Sequence, residues 1–352
     1  MTGMDREESV RMIRDSVGAI VPPGGDLTRI RALRGDPTGI DRVIWRQVVE
    51  QGWLTLLLDA DQGGLGLGAC ELTVIAEELG AALAPEPVTA VIALVPLLEG
   101  GARQDVLDGT RIVVPAWRET IKGSEDSPRT VVRDGRVTGT KILVASAAAA
   151  NGFVVSTDSG AMLVDRGADG VALDHKPTQD GGHSGTLTMT DTPCTPITGD
   201  FAAAIEMLSL AHCGYLLGAS ERAFRMTLDY LGMRKQFGRL IGSFQALQHR
   251  AAEAKIQLAL SRAVLDEAVA DVERGASSLD RLRSGSRAVA RVSDTAMLIV
   301  REAVQMHGAI GITDEHDIGL FCRKILTIYN HHGSAGANRL RYLSSRVLEP
   351  AA

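Results

Sequence analysis

The chain contains no uninterrupted apolar run near the roughly 18 residues a spanning helix needs; Ala147 to Ala150 is short and weakly hydrophobic. No membrane association is expected. Its four cysteines, Cys70, Cys194, Cys213 and Cys322, are far apart, with no CxxC spacing and no N-terminal signal pattern. A reducing cytoplasm is the expected location. Lys and Arg number 37 against 43 Asp and Glu, a net charge of −6, and the basic residues are dispersed. Without a basic block, nucleic acid is not an expected partner. The 352 residues, 45% hydrophobic and 23% charged, suffice for two or three folded units.

Periodicity then changes twice along the chain. From Arg6 to about Leu107 apolar residues recur at helical steps, as in Ile40, Val43, Ile44, Val48 and in Leu72, Ile75, Ala76, Leu79. Pro22-Pro23, Gly63-Gly64 and Pro85-Glu86-Pro87 punctuate them, predicting four or five short helices. From Arg111 to about Thr198 short runs of strand formers alternate with turn pairs such as Asp134-Gly135, which predicts an antiparallel β domain. Beyond Phe201 helical spacing returns in long segments, with Ile205, Leu208, His212 and Tyr215 on one face. Long helices of this kind make an antiparallel bundle. The expected class is α+β: an N-terminal helical domain over 1–110, a middle β domain over 111–199 and a C-terminal four-helix bundle over 200–352.

One motif points elsewhere. Gly64-Leu65-Gly66-Leu67-Gly68-Ala69 is a GxGxxA stretch after the strand-like run Leu54 to Leu58, as in a dinucleotide-binding turn. No succession of βα units surrounds it, so nicotinamide binding is not expected.

Other motifs agree with one another. Gln51-Gly52-Trp53-Leu54, Gly63-Gly64-Leu65-Gly66 and Glu77-Glu78-Leu79-Gly80 are followed by Val137-Thr138-Gly139-Thr140-Lys141. Then come Arg234-Lys235-Gln236-Phe237-Gly238, Ile241, Phe244-Gln245, Gln248 and Gln305-Met306-His307-Gly308-Ala309 with Gly311. In this order and spacing they resemble the acyl-CoA dehydrogenase family over nearly the whole chain. The resemblance implies that fold and a flavin adenine dinucleotide (FAD) cofactor.

The same residue types suit FAD on physical grounds, because its pyrophosphate needs cationic or donor groups and its adenine a flat apolar surface. Arg234, Phe237, Gln245, Gln305, Met306, His307, Gly308 and Ala309 are the candidate contacts. By resemblance they reach the adenosine end of a flavin held mainly by a neighbouring subunit. Taken singly, Arg234 and Gln245 would cap helices and Phe237 would be core. The flavin-ring half is poorly represented. Where the family has a Thr-Glu-Pro-x-x-Gly-Ser type segment this chain has Val114 to Ser124, including Trp117, and where it has a Trp-hydroxyl pair this chain has Leu143-Val144-Ala145-Ser146.

The catalytic carboxylate is missing from both places where the family carries one. After Tyr329 stands Asn330, and at the alternative position on the first bundle helix stand Leu208 and Ser209. An amide cannot accept a proton from carbon near neutral pH. His331 and His332 have a suitable pKa for such work, although adjacent histidines in a polar, Gly-rich loop more often serve hydrogen bonds or interfaces. No acidic or cysteine cluster accompanies them to define a metal set.

The resemblance therefore implies a degenerate subunit of a heteromeric acyl-CoA dehydrogenase, an α2β2 assembly with a related chain that supplies the catalytic Glu. Its substrate would be an acyl-CoA, possessing in this kind of split enzyme a steroid side chain, and its electron acceptor an electron-transfer flavoprotein. The alternatives are a flavin-dependent monooxygenase on the same fold and a non-catalytic scaffold subunit.

Overall fold

The computed structural model describes residues 6–22, 24–121 and 128–347. Pro23, and Lys122, Gly123 and Ser124 of the flavin-ring comparison, lie outside the described residues. Helices fill the chain to Leu107: α1 (Arg6–Ile20), α2 (Thr28–Ala32), α3 (Arg42–Glu50), α4 (Ala69–Ala81), α5 (Val88–Leu94) and α6 (Gly100–Leu107). That is one or two more than the periodicity suggests, because α2 and α5 are too short to complete a periodic pattern. Asp41 caps α3 by accepting from the amides of Val43 at 2.8 Å and Ile44 at 3.4 Å, which satisfies donors the first turn leaves open.

Strands follow, as expected: β1 (Val113–Ala116), β2 (Val131–Arg133), β3 (Arg136–Ala145), β4 (Gly152–Thr157), β5 (Gly160–Asp165), β6 (Val171–Pro177), β7 (His183–Pro193) and β8 (Thr195–Pro196). They form two four-stranded sheets, β1-β4-β5-β8 and β2-β3-β7-β6. Pairing is antiparallel except between β1 and β4, which run parallel. Central β4 is almost wholly buried while edge strand β6 alternates with solvent.

The C-terminal helices are α7 (Phe201–Met233), α8 (Gln245–Glu273), α9 (Ser278–His307), α10 (Ile318–Ile328) and α11 (Ala335–Val347). The two-residue strands β9 (Lys235–Gln236) and β10 (Arg239–Leu240) form a hairpin between α7 and α8.

Two compact units emerge, one of Met1–Leu27, Thr73–Ala84 and Ser209–Ala352, the other of Thr28–Leu72 and Pro85–Leu208. Within the first, α9 is central, with α8, α10 and α11 packed on it. Ser261 donates to Thr295 across α8 and α9 at 2.8 Å, and Arg250 forks onto Glu302 at 2.6 and 3.1 Å. Here α4 and α7 touch backbone to backbone. A Cβ at Gly218 would lie 2.0 Å from the Glu77 carbonyl oxygen, and one at Gly80 2.1 Å from that of Tyr215, so only hydrogen fits at either position. The crossing buries Glu77, which accepts from Arg262 of α8. Burial raises the Glu77 pKa despite that partner.

By length and composition alone, α7 is the one described helix long and apolar enough to cross a membrane, although it contains no uninterrupted apolar run of that length. Half of its most apolar stretch is buried inside the protein.

In the second unit, the GxGxxA stretch has no strand before it. Leu54 to Leu58 is a 3-10 turn and its continuation, and the glycines fold back on it through Gly66 N–H to Leu58 carbonyl at 2.8 Å. A Cβ at Gly64 would sit 2.0 Å from that same carbonyl oxygen, so these glycines serve a tight turn.

Candidate active site

The candidate adenosine contacts lie in the first unit. Arg234 follows α7, and its N–H donates to the Tyr230 carbonyl at 2.9 Å. The β9-β10 turn consists of Phe237 and Gly238, with φ of +54° and +77°. Two positive φ angles suit the twist of a two-residue hairpin, yet a phenylalanine there is strained where glycine or asparagine would not be. The ring is 90% exposed, edge-on to Phe244 with centroids 6.1 Å apart, and Arg239 lies 4.0 Å over the Phe244 ring. A large apolar ring held outward on strained backbone is a placement that folding alone does not favour. Gln245 is exposed at the start of α8.

At the far end of α9, Gln305, Gly308 and Ala309 are exposed, whereas Met306 and His307 are buried. His307 stacks on Tyr230 at 4.5 Å and meets His316 at 4.6 Å. Through this stack, the end of α7 that leads to Arg234 and the end of α9 that carries Gln305 are in contact.

In the first unit, Ser209 and the segment that follows Asn330 meet. Ser209 Oγ and His332 Nδ1 share a hydrogen bond of 2.9 Å. His212, one turn after Ser209 on α7, lies 4.9 Å from His332 and stacks at 6.0 Å on His331. Its Nε2 is buried without a hydrogen-bond partner. Burial, then the neighbouring His332 and His331, hold its pKa well below the ordinary imidazole value, so it is neutral at pH 7.

Asn330 sits in the turn after α10, where His331 N–H donates to Ile328 carbonyl at 2.8 Å and Gly333 N–H to Asn330 carbonyl at 3.1 Å. The fully buried Asn338 pins this turn, its side-chain amide donating to the carbonyls of His332 at 3.0 Å and Ser334 at 3.1 Å. The Gly-rich segment read as a loop is thus a short turn followed by α11.

In the second unit, the flavin-ring segment holds a buried ion pair. Lys141 Nζ is 2.5 Å from Glu119 Oε1 and donates to Ser156 at 3.0 Å. Burial opposes the Glu119 charge, but hydrogen bonds from Lys141, Thr130 and the amides of Arg129 and Thr130 outweigh it and bring the pKa down to about 2. Trp117 is half-buried. Leu143 lies in a register shift of β3 against β7, exposed and at φ +55°. The backbone where a Trp-hydroxyl pair is expected is therefore a bulge presenting an aliphatic side chain.

Sequence reasoning did not single out His212, Tyr230 or His316. Part of the signal was present in their spacing: Ser209 and His212 are three residues apart and share a face of α7, and Tyr230 lies four residues before Arg234.

The chain thus runs from a helical first part through two sheets to a C-terminal helical bundle with an exposed Arg-x-x-Phe hairpin. The chain matches the acyl-CoA dehydrogenase N-terminal domain over residues 7–104 and its C-terminal domain over 201–342. It is 29% identical to acyl-CoA dehydrogenase IpdE2 of Mycobacterium tuberculosis, over 98% of this chain and 99% of that protein. With acyl-CoA dehydrogenase FadE28 of the same organism it is 32% identical, over 61% of this chain and 67% of FadE28. The solved Tcur3481-Tcur3483 steroid acyl-CoA dehydrogenase superposes with a TM-score of 0.89 at 27% identity, covering 97% of this chain and 98% of that one. The ChsE4-ChsE5 complex from Mycobacterium tuberculosis gives 0.85 at 25% identity, covering 99% and 100%. The chain belongs to the acyl-CoA dehydrogenase family, whose members are FAD-dependent oxidoreductases.

Proposed function

We propose that this chain is the non-basic subunit of a heteromeric acyl-CoA dehydrogenase, contributing adenosine-side contacts to an FAD whose ring is held by a related partner chain. The observation that carries the reading is a contrast within the first unit. The family's two base positions hold Asn330 and Ser209, beside a set of imidazoles, while an arginine and a strained, outward phenylalanine stand exposed.

The residues present suit one half of FAD. Arg234 offers a charged donor to the pyrophosphate, Phe237 an apolar face to adenine, and Gln245 and Gln305 further donors. In the second unit the bulge at Leu143 offers no hydroxyl to the ring. When bound, FAD supplies the acceptor for hydride. The work of this chain is to bind and orient the adenosine end, and the α-proton of the acyl-CoA thioester goes to a glutamate of the partner, giving a 2-enoyl-CoA.

The two solved neighbours are a steroid acyl-CoA dehydrogenase and a two-component complex by their own descriptions. They favour a heteromeric assembly, of α2β2 stoichiometry, acting on a steroid side-chain CoA with an electron-transfer flavoprotein as acceptor. A cytoplasmic site suits those partners.

The test is co-expression with a related dehydrogenase subunit, followed by measurement of FAD and acyl-CoA turnover. One FAD per pair of chains, lost from the Arg234→Ala complex, supports the reading. Turnover by this chain alone contradicts it, and an unchanged FAD content in Arg234→Ala favours a scaffold role.

A further inference from the structure

His307 lies within the motif that contributes to the adenosine surface, yet it is only 3% exposed. Its Nδ1 is 2.8 Å from the Ala303 carbonyl, four residues back on α9. A carbonyl only accepts, so Nδ1 carries the proton and the neutral ring leaves Nε2 as a bare acceptor. That Nε2 is buried and has no partner. A second proton there would create an unsatisfied cationic donor in the interior, which is far more costly than an unmatched lone pair.

The ring is held on two sides. Tyr230, on the last turns of α7, stacks at 4.5 Å and 23°, and His316, ahead of α10, lies at 4.6 Å and 55°. His316 Nδ1 accepts the Ile318 N–H at 3.1 Å at the start of α10, so, unlike His307, it is unprotonated at that nitrogen. The turn from Gly308 to Ile312 between them bears no titratable side chain. Tyr230 and His316 are thus the titratable neighbours, one from each packed element. Burial first, then His316, lowers the His307 pKa, against the Ala303 hydrogen bond.

We propose that His307 is a positioning residue for FAD: clamped between Tyr230 and His316, it fixes the end of α7 that leads into Arg234 against the end of α9 that carries Gln305 and Gly308. It does not touch the cofactor itself. The inference rests on the adenosine-side reading above.

Burial and His316 hold the ring's pKa below the ordinary imidazole value, so the folded clamp stays uncharged through the ordinary histidine range, and the stability it adds declines as pH falls below about 6.5, where the unfolded chain takes up the proton first. FAD affinity of the co-purified complex and the thermal midpoint of the FAD-free chain are measured at pH 7.5 and 5.5. The wild-type midpoint is expected to fall from the first to the second. His307→Phe, which keeps an aromatic ring but loses the Ala303 hydrogen bond and cannot titrate, is expected to bind FAD more tightly than His307→Ala at pH 7.5. It should show a flatter pH dependence of the midpoint. His307→Ala should bind weakly at both pH values. Undiminished pH dependence in His307→Phe, or wild-type affinity in His307→Ala, overturns the proposal. Arg234→Ala separates the two readings: if it too leaves FAD binding intact, the adenosine-side assignment fails; if it alone weakens binding, only the role of His307 fails.

Discussion

Ser209 Oγ lies 2.9 Å from His332 Nδ1, across 123 residues of sequence. The bond joins the two segments at which the family's catalytic carboxylate is expected, one on α7 and one after α10. With no acidic group at either position, the polar groups there bond to one another, and the neighbouring His212 is held neutral by burial. The site has the character of interior polar packing more than of a base poised for carbon acid chemistry.

If the proton acceptor belongs to the partner, His331→Ala and His332→Ala should each leave the turnover of the assembled complex within about threefold, far short of the 10²- to 10⁴-fold cost of losing a general base. Steady-state kinetics with a saturating acyl-CoA check this, and a collapse of kcat in either variant would return the base to this chain.

The same imidazoles predict an acid response. His212 is neutral when folded and ordinary when unfolded, so the unfolded chain binds more protons below about pH 6.5. Its contribution to stability is present above that value and declines as pH falls. Denaturant midpoints at pH 7.5 and 5.5 should differ less in His212→Phe than in wild type.

Phe237→Gly separates stability from cofactor binding. Glycine relieves the left-handed strain, worth about 1 kcal/mol, so the FAD-free chain should be no less stable. Loss of an aromatic face for adenine, worth roughly 1 to 3 kcal/mol, should weaken FAD binding about fivefold to a hundredfold. Calorimetry and FAD titration on the same preparation give both values.

Lys141→Met should cost about 3 to 5 kcal/mol, because Glu119 is left charged and buried without its cation. Adding Glu119→Gln should recover much of that loss. Since the Glu119 pKa is brought down to about 2, the stability it confers is present above its ordinary value of 4.5 and is lost as pH falls toward 2. Acid unfolding of the double variant should therefore be shallower in that range.

Gly218→Ala should destabilise by about 2 to 4 kcal/mol, since its methyl would meet the Glu77 carbonyl and the crossing of α4 and α7 must open. A half-buried glycine of α9 with open space at its Cβ position, Gly285, is the control and should tolerate alanine.

Local chemistry made much of this protein legible before its structure. The shift from helical to alternating and back to helical periodicity fixed the order of elements, because side-chain period follows backbone geometry. The missing carboxylate was also a matter of residue identity, as Asn330 and Ser209 cannot become bases by folding. The short helices α2 and α5 and the parallel β1-β4 pair were not legible, since a helix of five to seven residues has no sustained period and strand direction depends on the path between strands.

Contact across long sequence separation belonged to the tertiary structure alone. Only packing placed His212 beside His331 and His332, buried His307 with Met306 within a motif whose Gln305, Gly308 and Ala309 are exposed, and turned Phe237 outward on strained backbone. A residue type states which protons and charges are available; burial and neighbours, which arise from chain segments hundreds of residues apart, decide whether they are used.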